Sequence, residues 1–181
     1  MDSVKTLNRT VGFIGGGQMA EALAVGLINS GTLAAQNVII CDPIGTRLAQ
    51  LRDKYGIKVS DNVDPSKPMT NREQHLQVAS TAQIVVIAVK PQFIKNVLKD
   101  LGEDGVLTDS HLVVSVAAGC STEFMDGQLG AAKGKVKIAR IMPNTPALIG
   151  KGAGGFYCNE MCTKEDAQEV EILARAVGLS Y

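Results

Sequence analysis

Within its first thirty residues the chain passes from an apolar segment, Val11-Gly12-Phe13-Ile14, through three consecutive glycines, Gly15-Gly16-Gly17, directly into helical spacing. Ala20, Leu23, Ala24 and Leu27 fall at i, i+3, i+4 and i+7, and Gly31 stands where a left-handed cap would end the helix. A buried strand that ends in a glycine turn and feeds a helix without a linker leaves few architectures open. The unit then recurs. Val38-Ile39-Ile40-Cys41 stops at Asp42-Pro43 before helical spacing over 46–55 that ends at Gly56, and Ile57-Lys58-Val59 reads as a brief strand. Ile84 to Val89 leads through Lys90-Pro91 into a helix with Phe93, Ile94, Val97, Leu98 and Leu101 on one stripe, and Leu112 to Ser115 leads into Ala117-Ala118-Gly119. Thr122 to Leu129 is a helix candidate, Val136 to Ile141 a sixth strand and Gly154 to Tyr157 a seventh. Thr163 caps a last helix with Glu165 and Asp166 in its first turn and Gly178 beyond its end.

Such alternation requires right-handed crossovers and a mostly parallel sheet covered on both faces. The expected fold is therefore α/β, a doubly wound sheet over residues 11–181 preceded by an extension over 1–10. The stretch from Val63 to His75 holds two prolines and little apolar content, so it reads as an excursion on the surface.

Composition sets the class of function. With 181 residues, 45% hydrophobic and 20% charged, the chain suits one globular domain. Eighteen Lys and Arg balance eighteen Asp and Glu, which removes the basic excess that nucleic-acid binding needs. There is no run of eighteen apolar residues and no apolar core for a secretory signal near the amino terminus, so the expectation is a cytoplasmic protein with no membrane partner. Cys41, Cys120, Cys158 and Cys162 lack C-x-x-C spacing, and free thiols without a metal are expected.

Gly15-Gly16-Gly17-Gln18-Met19-Ala20 matches G-x-G-x-x-A, follows a strand, opens a helix and lies 22 residues before an acid, Asp42, at the end of the second strand. In that context Gly15 makes the tight turn, Gly17 leaves room for a pyrophosphate, Ala20 lets helix and strand pack closely, and the phosphates meet the helix amides. This is a Rossmann-type dinucleotide site, so NADH or NADPH is the expected cofactor. Asp42 reads in two ways, as acceptor for both adenine-ribose hydroxyls or as a solvated cap of the next helix. In the first role it repels a 2′-phosphate, at about 4 kcal/mol per unit charge pair at roughly 4 Å and an effective dielectric near 20, and NADH is preferred. Arg47 either offsets that repulsion by turning toward the phosphate or is a solvated helix charge. Lys90, directly after so apolar a strand, either snorkels at the sheet edge or faces the dinucleotide together with Ala88, Val89 and Pro91. Met142-Pro143-Asn144-Thr145 ends the sixth strand, and strand-end geometry directs this loop toward the nicotinamide. His75, His111, Glu165, Glu169, Glu171 and Arg175 read as surface groups.

Taken together, these motifs resemble pyrroline-5-carboxylate reductase: Val11 to Ala20, Ala88-Val89-Lys90-Pro91, Ser115-Val116-Ala117-Ala118-Gly119 and Met142-Pro143-Asn144-Thr145-Pro146, in family order from Val11 almost to Tyr181. The resemblance implies reduction of the small-molecule imine 1-pyrroline-5-carboxylate to L-proline with NAD(P)H, in proline biosynthesis. It implies that Gly15, Gly16, Gly17, Gln18, Met19 and Ala20 hold the pyrophosphate, Asp42 the ribose and Asn62 the adenine side. Val89, Lys90 and Ala118 would face the nicotinamide half, flanked by Ala88, Pro91, Ala117 and Gly119. Relative to the family, the Val63 to His75 stretch looks like an insertion. The family also continues into a helical second domain, which is implied to bind the imine's carboxylate and to form a homo-oligomer; the expectation is that residues 1–181 lack it and bind cofactor without full catalysis. Two alternatives stand beside this reading: a 3-hydroxy-acid dehydrogenase of the 6-phosphogluconate type, and a non-catalytic dinucleotide-binding module. No residue is singled out as the proton source.

Overall fold

The structure, a computed structural model, describes residues 6–60, 68–103, 105–143, 146 and 152–180. Among them, strands β1 (Val11–Ile14), β2 (Val38–Cys41), β3 (Lys58–Val59), β4 (Ile84–Ile87), β5 (Leu112–Ser115), β6 (Lys137–Pro143), β7 (Gly152–Cys158) and β8 (Gly178–Ser180) form one sheet. Its order is β3-β2-β1-β4-β5-β6-β7-β8. Every neighbouring pair is parallel except β6 with β7. The helices are α1 (Gln18–Asn29), α2 (Gly45–Tyr55), α3 (Asn71–Thr81), α4 (Ile94–Glu103), α5 (Thr122–Gln128) and α6 (Lys164–Arg175). The doubly wound, mostly parallel sheet expected from the sequence is present.

Two cores explain why the strands are apolar on both faces. Because side chains alternate along a strand, Phe13, Ile40, Val86, Val114 and Ile141 face Leu23 and Leu27 of α1 and Val170 and Leu173 of α6. Ile39, Ile87, Val113 and Ile138 face the other way, onto Val78 of α3, Leu98 and Leu101 of α4 and Met125 of α5. Each such fully buried side chain contributes about 1.5–3 kcal/mol. Close crossings are made by glycine. A Cβ on Gly26 of α1 would lie 2.0 Å from the carbonyl oxygen of Ala176, just past α6, and one on Gly102 of α4 would lie 2.1 Å from that of Leu129.

Three sequence expectations need correction. The excursion read over 63–75 overlaps α3, which begins at Asn71 behind a capping box: the Glu73 amide donates to Thr70 Oγ1 and the Thr70 amide to Glu73 Oε2. Gln74 in its first turn is buried and accepts from Ser60 Oγ at 2.9 Å, so the end of the stretch is structural. Beyond the last helix the chain adds β8, which the cap reading of Gly178 did not foresee. The segment before β1 is tied down as well. Leu7 is buried with its amide on Thr32 O at 3.0 Å, and Arg9 binds Glu169 Oε2 at 2.7 Å and the carbonyls of Gln83 and Ser110. Glu169 is thus an ion-pair partner and not a solvated charge. No helix among the described residues is long and apolar enough to cross a membrane.

Candidate functional site

The order reversal between β1 and β4 opens a crevice at the carboxyl ends of the strands, and the glycine turn occupies it. Gly15 has φ +100°, and a Cβ there would meet Ala88 O at 2.9 Å and Val89 Cγ1 at 3.1 Å, so only glycine passes this point. Its amide donates to Cys41 O at 2.9 Å, and the Ala88 amide donates to Ile14 O at 2.9 Å. Gly16 is wedged between Asp42 and Leu51. Gly17 differs from both: it is extended, exposed, and a Cβ on it would meet nothing within 4 Å. It precedes α1 without offering a side-chain cap, which leaves the first-turn amides and the positive end of the helix dipole directed at the crevice. Gln18 is exposed, Met19 half-buried and Ala20 fully buried.

Asp42 is half-buried at the end of β2. Its Oδ2 accepts the Gly16 amide at 2.8 Å and its Oδ1 the Ile44 amide at 2.9 Å, which ties the glycine turn to the start of α2. The cap of α2 is Ile44 with no side-chain bond, so the helix-cap alternative for Asp42 falls. Each oxygen keeps a second lone pair for a ribose hydroxyl. Neither expectation for Arg47 holds. Its Nε donates to Gly16 O at 2.7 Å, and a terminal nitrogen meets Glu21 Oε2 at 2.5 Å. Tyr55 donates to the other oxygen of Glu21 at 2.6 Å. The Tyr55 hydroxyl first, then Arg47, holds the Glu21 carboxyl below the usual carboxylate range. Glu21 and Tyr55 carried no sequence signal for this role, since 26 and 8 residues separate them from Arg47. A hollow of 590 Å³ beside this cluster is lined by Glu21, Arg47, Gln50, Leu51, Asp53 and Lys54 and by no residue of the glycine turn.

Along the crevice, Ala88 and Val89 are half-buried and Lys90 and Pro91 exposed. Pro91 starts a single 3-10 turn in which the Phe93 amide donates to Lys90 O at 2.9 Å, leaving Phe93 half out in solvent. Next along the sheet, Ala117 is buried while Ala118 and Gly119 are exposed, with Gly119 at φ +74° making the turn. Met142 on β6 is exposed and Pro143 half-buried; Asn144, Thr145 and Asn62 lie outside the described residues.

Both histidines sit elsewhere. His111 precedes β5, at the end away from the crevice, accepts the Thr108 amide at Nδ1 and donates from Nε2 to Ala79 O, which fixes its tautomer. His75 Nδ1 contacts Asp100 Oδ2 at 2.8 Å, bridging α3 to α4. Each is structural, where a surface group was expected. Among the described residues no cluster of His, Cys, Asp or Glu could hold a metal ion. All four cysteines are free, and burial pushes the Cys41 thiol up to about 12.

The open space beside Gly17, the uncapped first turn of α1 and the carboxylate at the end of β2 fit a dinucleotide. A family described as NADP oxidoreductase, coenzyme F420-dependent, matches residues 10–119. The chain belongs to that family. The chain is also similar to the pyrroline-5-carboxylate reductase of Escherichia coli K12, 33% identical over 172 residues, which cover 95% of this chain and 58% of that protein. The solved pyrroline-5-carboxylate reductase of Coxiella burnetii superposes with a TM-score of 0.82 at 33% identity, covering 96% of this chain and 58% of the other. The Plasmodium falciparum pyrroline carboxylate reductase, solved with NADP bound, superposes with a TM-score of 0.76 at 24% identity over 97% of this chain and 58% of its own, and shares the fold. The chain thus spans somewhat over half the length of the relatives it matches.

Proposed function

We propose that the chain is the dinucleotide-binding part of a pyrroline-5-carboxylate reductase, acting in the cytoplasm on the cyclic imine 1-pyrroline-5-carboxylate in a protein that assembles with copies of itself. The observation that carries this reading is one crevice. It joins the glycine turn at the end of β1 to the Ala88–Pro91 turn at the end of β4, in a chain that aligns along 95% of its length with such a reductase.

In this reading Gly15 and Gly16 shape the turn, the amides of Gly17 to Ala20 receive the pyrophosphate, Asp42 the adenine ribose and Asn62 the adenine side. Ala88, Val89, Lys90, Pro91, Ala117, Ala118 and Gly119 line the nicotinamide half, and Met142, Pro143, Asn144 and Thr145 form the wall toward the imine. NAD(P)H supplies the hydride. The chain's own contribution is orientation and exclusion of water. The apolar walls from Val89, Ala117 and Ala118 keep the reacting face dry, and the turn at Gly119 lets backbone approach closely. When bound, the cofactor would supply the hydride for the imine carbon, and the imine nitrogen would take up one proton to give the secondary amine of proline.

A small polar imine must have its carboxylate fixed before its carbon can be held near a donor, and effective-molarity gains of about 7–11 kcal/mol depend on that. Residues 1–181 are therefore expected to bind NAD(P)H and not to turn over the imine. Dinucleotide titration by fluorescence and NADH absorbance with 1-pyrroline-5-carboxylate test the two halves separately. Failure to bind either dinucleotide overturns the cofactor reading. Turnover on the order of 10 per second, typical of complete enzymes, would show that these residues build a whole active site. Turnover of a 3-hydroxy acid and not of the imine would favour the dehydrogenase alternative.

A further inference from the structure

Arg47 is the one basic residue in the first turn of α2, the turn that follows Asp42 and borders the ribose end of the crevice. A 2′-phosphate there needs a cation with free N–H groups. Arg47 is already committed to two other groups. Its Nε is on Gly16 O at 2.7 Å and its terminal nitrogen is on Glu21 Oε2 at 2.5 Å, with both side chains about three-quarters buried. Glu21 is in turn fixed by Tyr55, whose hydroxyl donates to its other oxygen at 2.6 Å. The other cations of α2 stand beyond this clamp. Lys54, two turns further along the helix, lies 3.7 Å from Glu21 and over the Tyr55 ring, and Arg52 pairs with Asp53. The peptide of Gly16 is gripped at both ends, its amide by Asp42 and its carbonyl by Arg47.

We propose that Glu21 is a specificity-determining residue: by holding Arg47 against itself and Gly16 it withholds the cation a 2′-phosphate requires, so that Asp42 faces the ribose unopposed and NADH is chosen over NADPH. This rests on the dinucleotide reading above and adds to it a residue on α1, remote in sequence from the acid at the end of β2. Glu21 acts through Arg47 and is a positioning residue; it does not touch the cofactor. Replacing its charge while keeping its shape releases the guanidinium to swing toward the ribose.

The test is the ratio of NADPH to NADH dissociation constants, read by fluorescence titration on residues 1–181 in the wild type, Glu21→Gln, Arg47→Ala and the double variant. The wild type is expected to favour NADH. Glu21→Gln should tighten NADPH about tenfold while NADH stays within about twofold, and the gain should fade as salt is raised. Arg47→Ala alone should leave the ratio where it is, yet in the double variant it should erase the gain. Tyr55→Phe, which loosens Glu21 without removing its charge, should move the ratio the same way by less, and it serves if Glu21→Gln does not fold. A wild type that favours NADPH, a ratio unmoved by releasing Glu21, or a selective loss of NADPH in Arg47→Ala alone would each overturn the proposal. Absence of NADH binding in the wild type would instead overturn the dinucleotide reading on which it stands.

Discussion

Two glycines of one turn do different things, and single substitutions separate them. A Cβ on Gly17 points into open space, so Gly17→Val is expected to fold with an unchanged melting temperature and to lose NADH binding in a fluorescence titration, because the branched side chain fills the pyrophosphate's place. Gly15→Ala is the opposite case. At φ +100° and 2.9 Å from Ala88 O it should lower stability by about 1–3 kcal/mol in urea unfolding, and any loss of binding follows from that. Thiol chemistry is resolved at the same scale. The hydrogen bond from Cys162 lowers the Cys158 thiol, while Cys162 is raised by its bond to Cys158 and by burial. Iodoacetamide near pH 8 should therefore alkylate Cys158 first, with Cys162 slower and Cys41 protected until the chain unfolds, as peptide mass spectrometry would show. Equal labelling of Cys158 and Cys162 would contradict this order.

At the level of elements, the contact between α1 and the end of α6 depends on Gly26. The 2.0 Å approach to Ala176 O means that Gly26→Ala must push α6 outward, at a cost of about 1–3 kcal/mol despite alanine's better helix propensity. Calorimetry that found Gly26→Ala stabilising would show that the crossing yields freely. Strands β1, β2, β4 and β5 and helix α1 were legible in the sequence because every residue of those strands is buried and α1 buries Ala20, Leu23, Ala24 and Leu27 on one stripe. Helix α3 was not, and its residues explain why: it buries Gln74, Val78 and Ala79, a stripe with one polar member, and two prolines shortly before it suggested a loop. Its capping box, Thr70 with Glu73, was the available signal. Strand β8 hides in three residues that begin with a glycine, too short for any period to show. At the site, backbone positions such as Gly15, Ala88 and Gly119 were readable from turns between strands and helices. The Glu21–Arg47–Tyr55 cluster was not, since side chains from two helices meet only once the chain has folded.

For the whole molecule, acid stability is set by carboxylates that hold distant segments together. Burial raises the Asp166 carboxyl, but the Thr163 amide and hydroxyl and the Lys137 ammonium at 3.0 Å outweigh it and hold the group below its usual range. A depressed carboxyl stabilises the fold at pH values above its unfolded pKa of about 3.9, and that contribution is lost as pH falls through the lower folded value. The melting temperature should accordingly be level near neutrality and fall once pH drops below about 4. Asp166→Asn keeps the cap but strands Lys137, so it should lose about 2–3 kcal/mol at neutral pH and flatten the acid slope. An unchanged slope would assign acid sensitivity to other carboxylates. Arg9, which also lies 3.5 Å from Asp166, gives this network a direction in time. Its guanidinium leaves the ribosome 160 residues ahead of its partner Glu169. The strands around the glycine turn can pair while synthesis continues, with Leu7 and Arg9 laid along them. Yet among the described residues the carboxylates that meet Arg9, Asp166 and Glu169, emerge only with α6, so a nascent chain halted before Asp166 should expose the stretch around Leu7 and Arg9 to protease, and a chain that includes α6 should protect it.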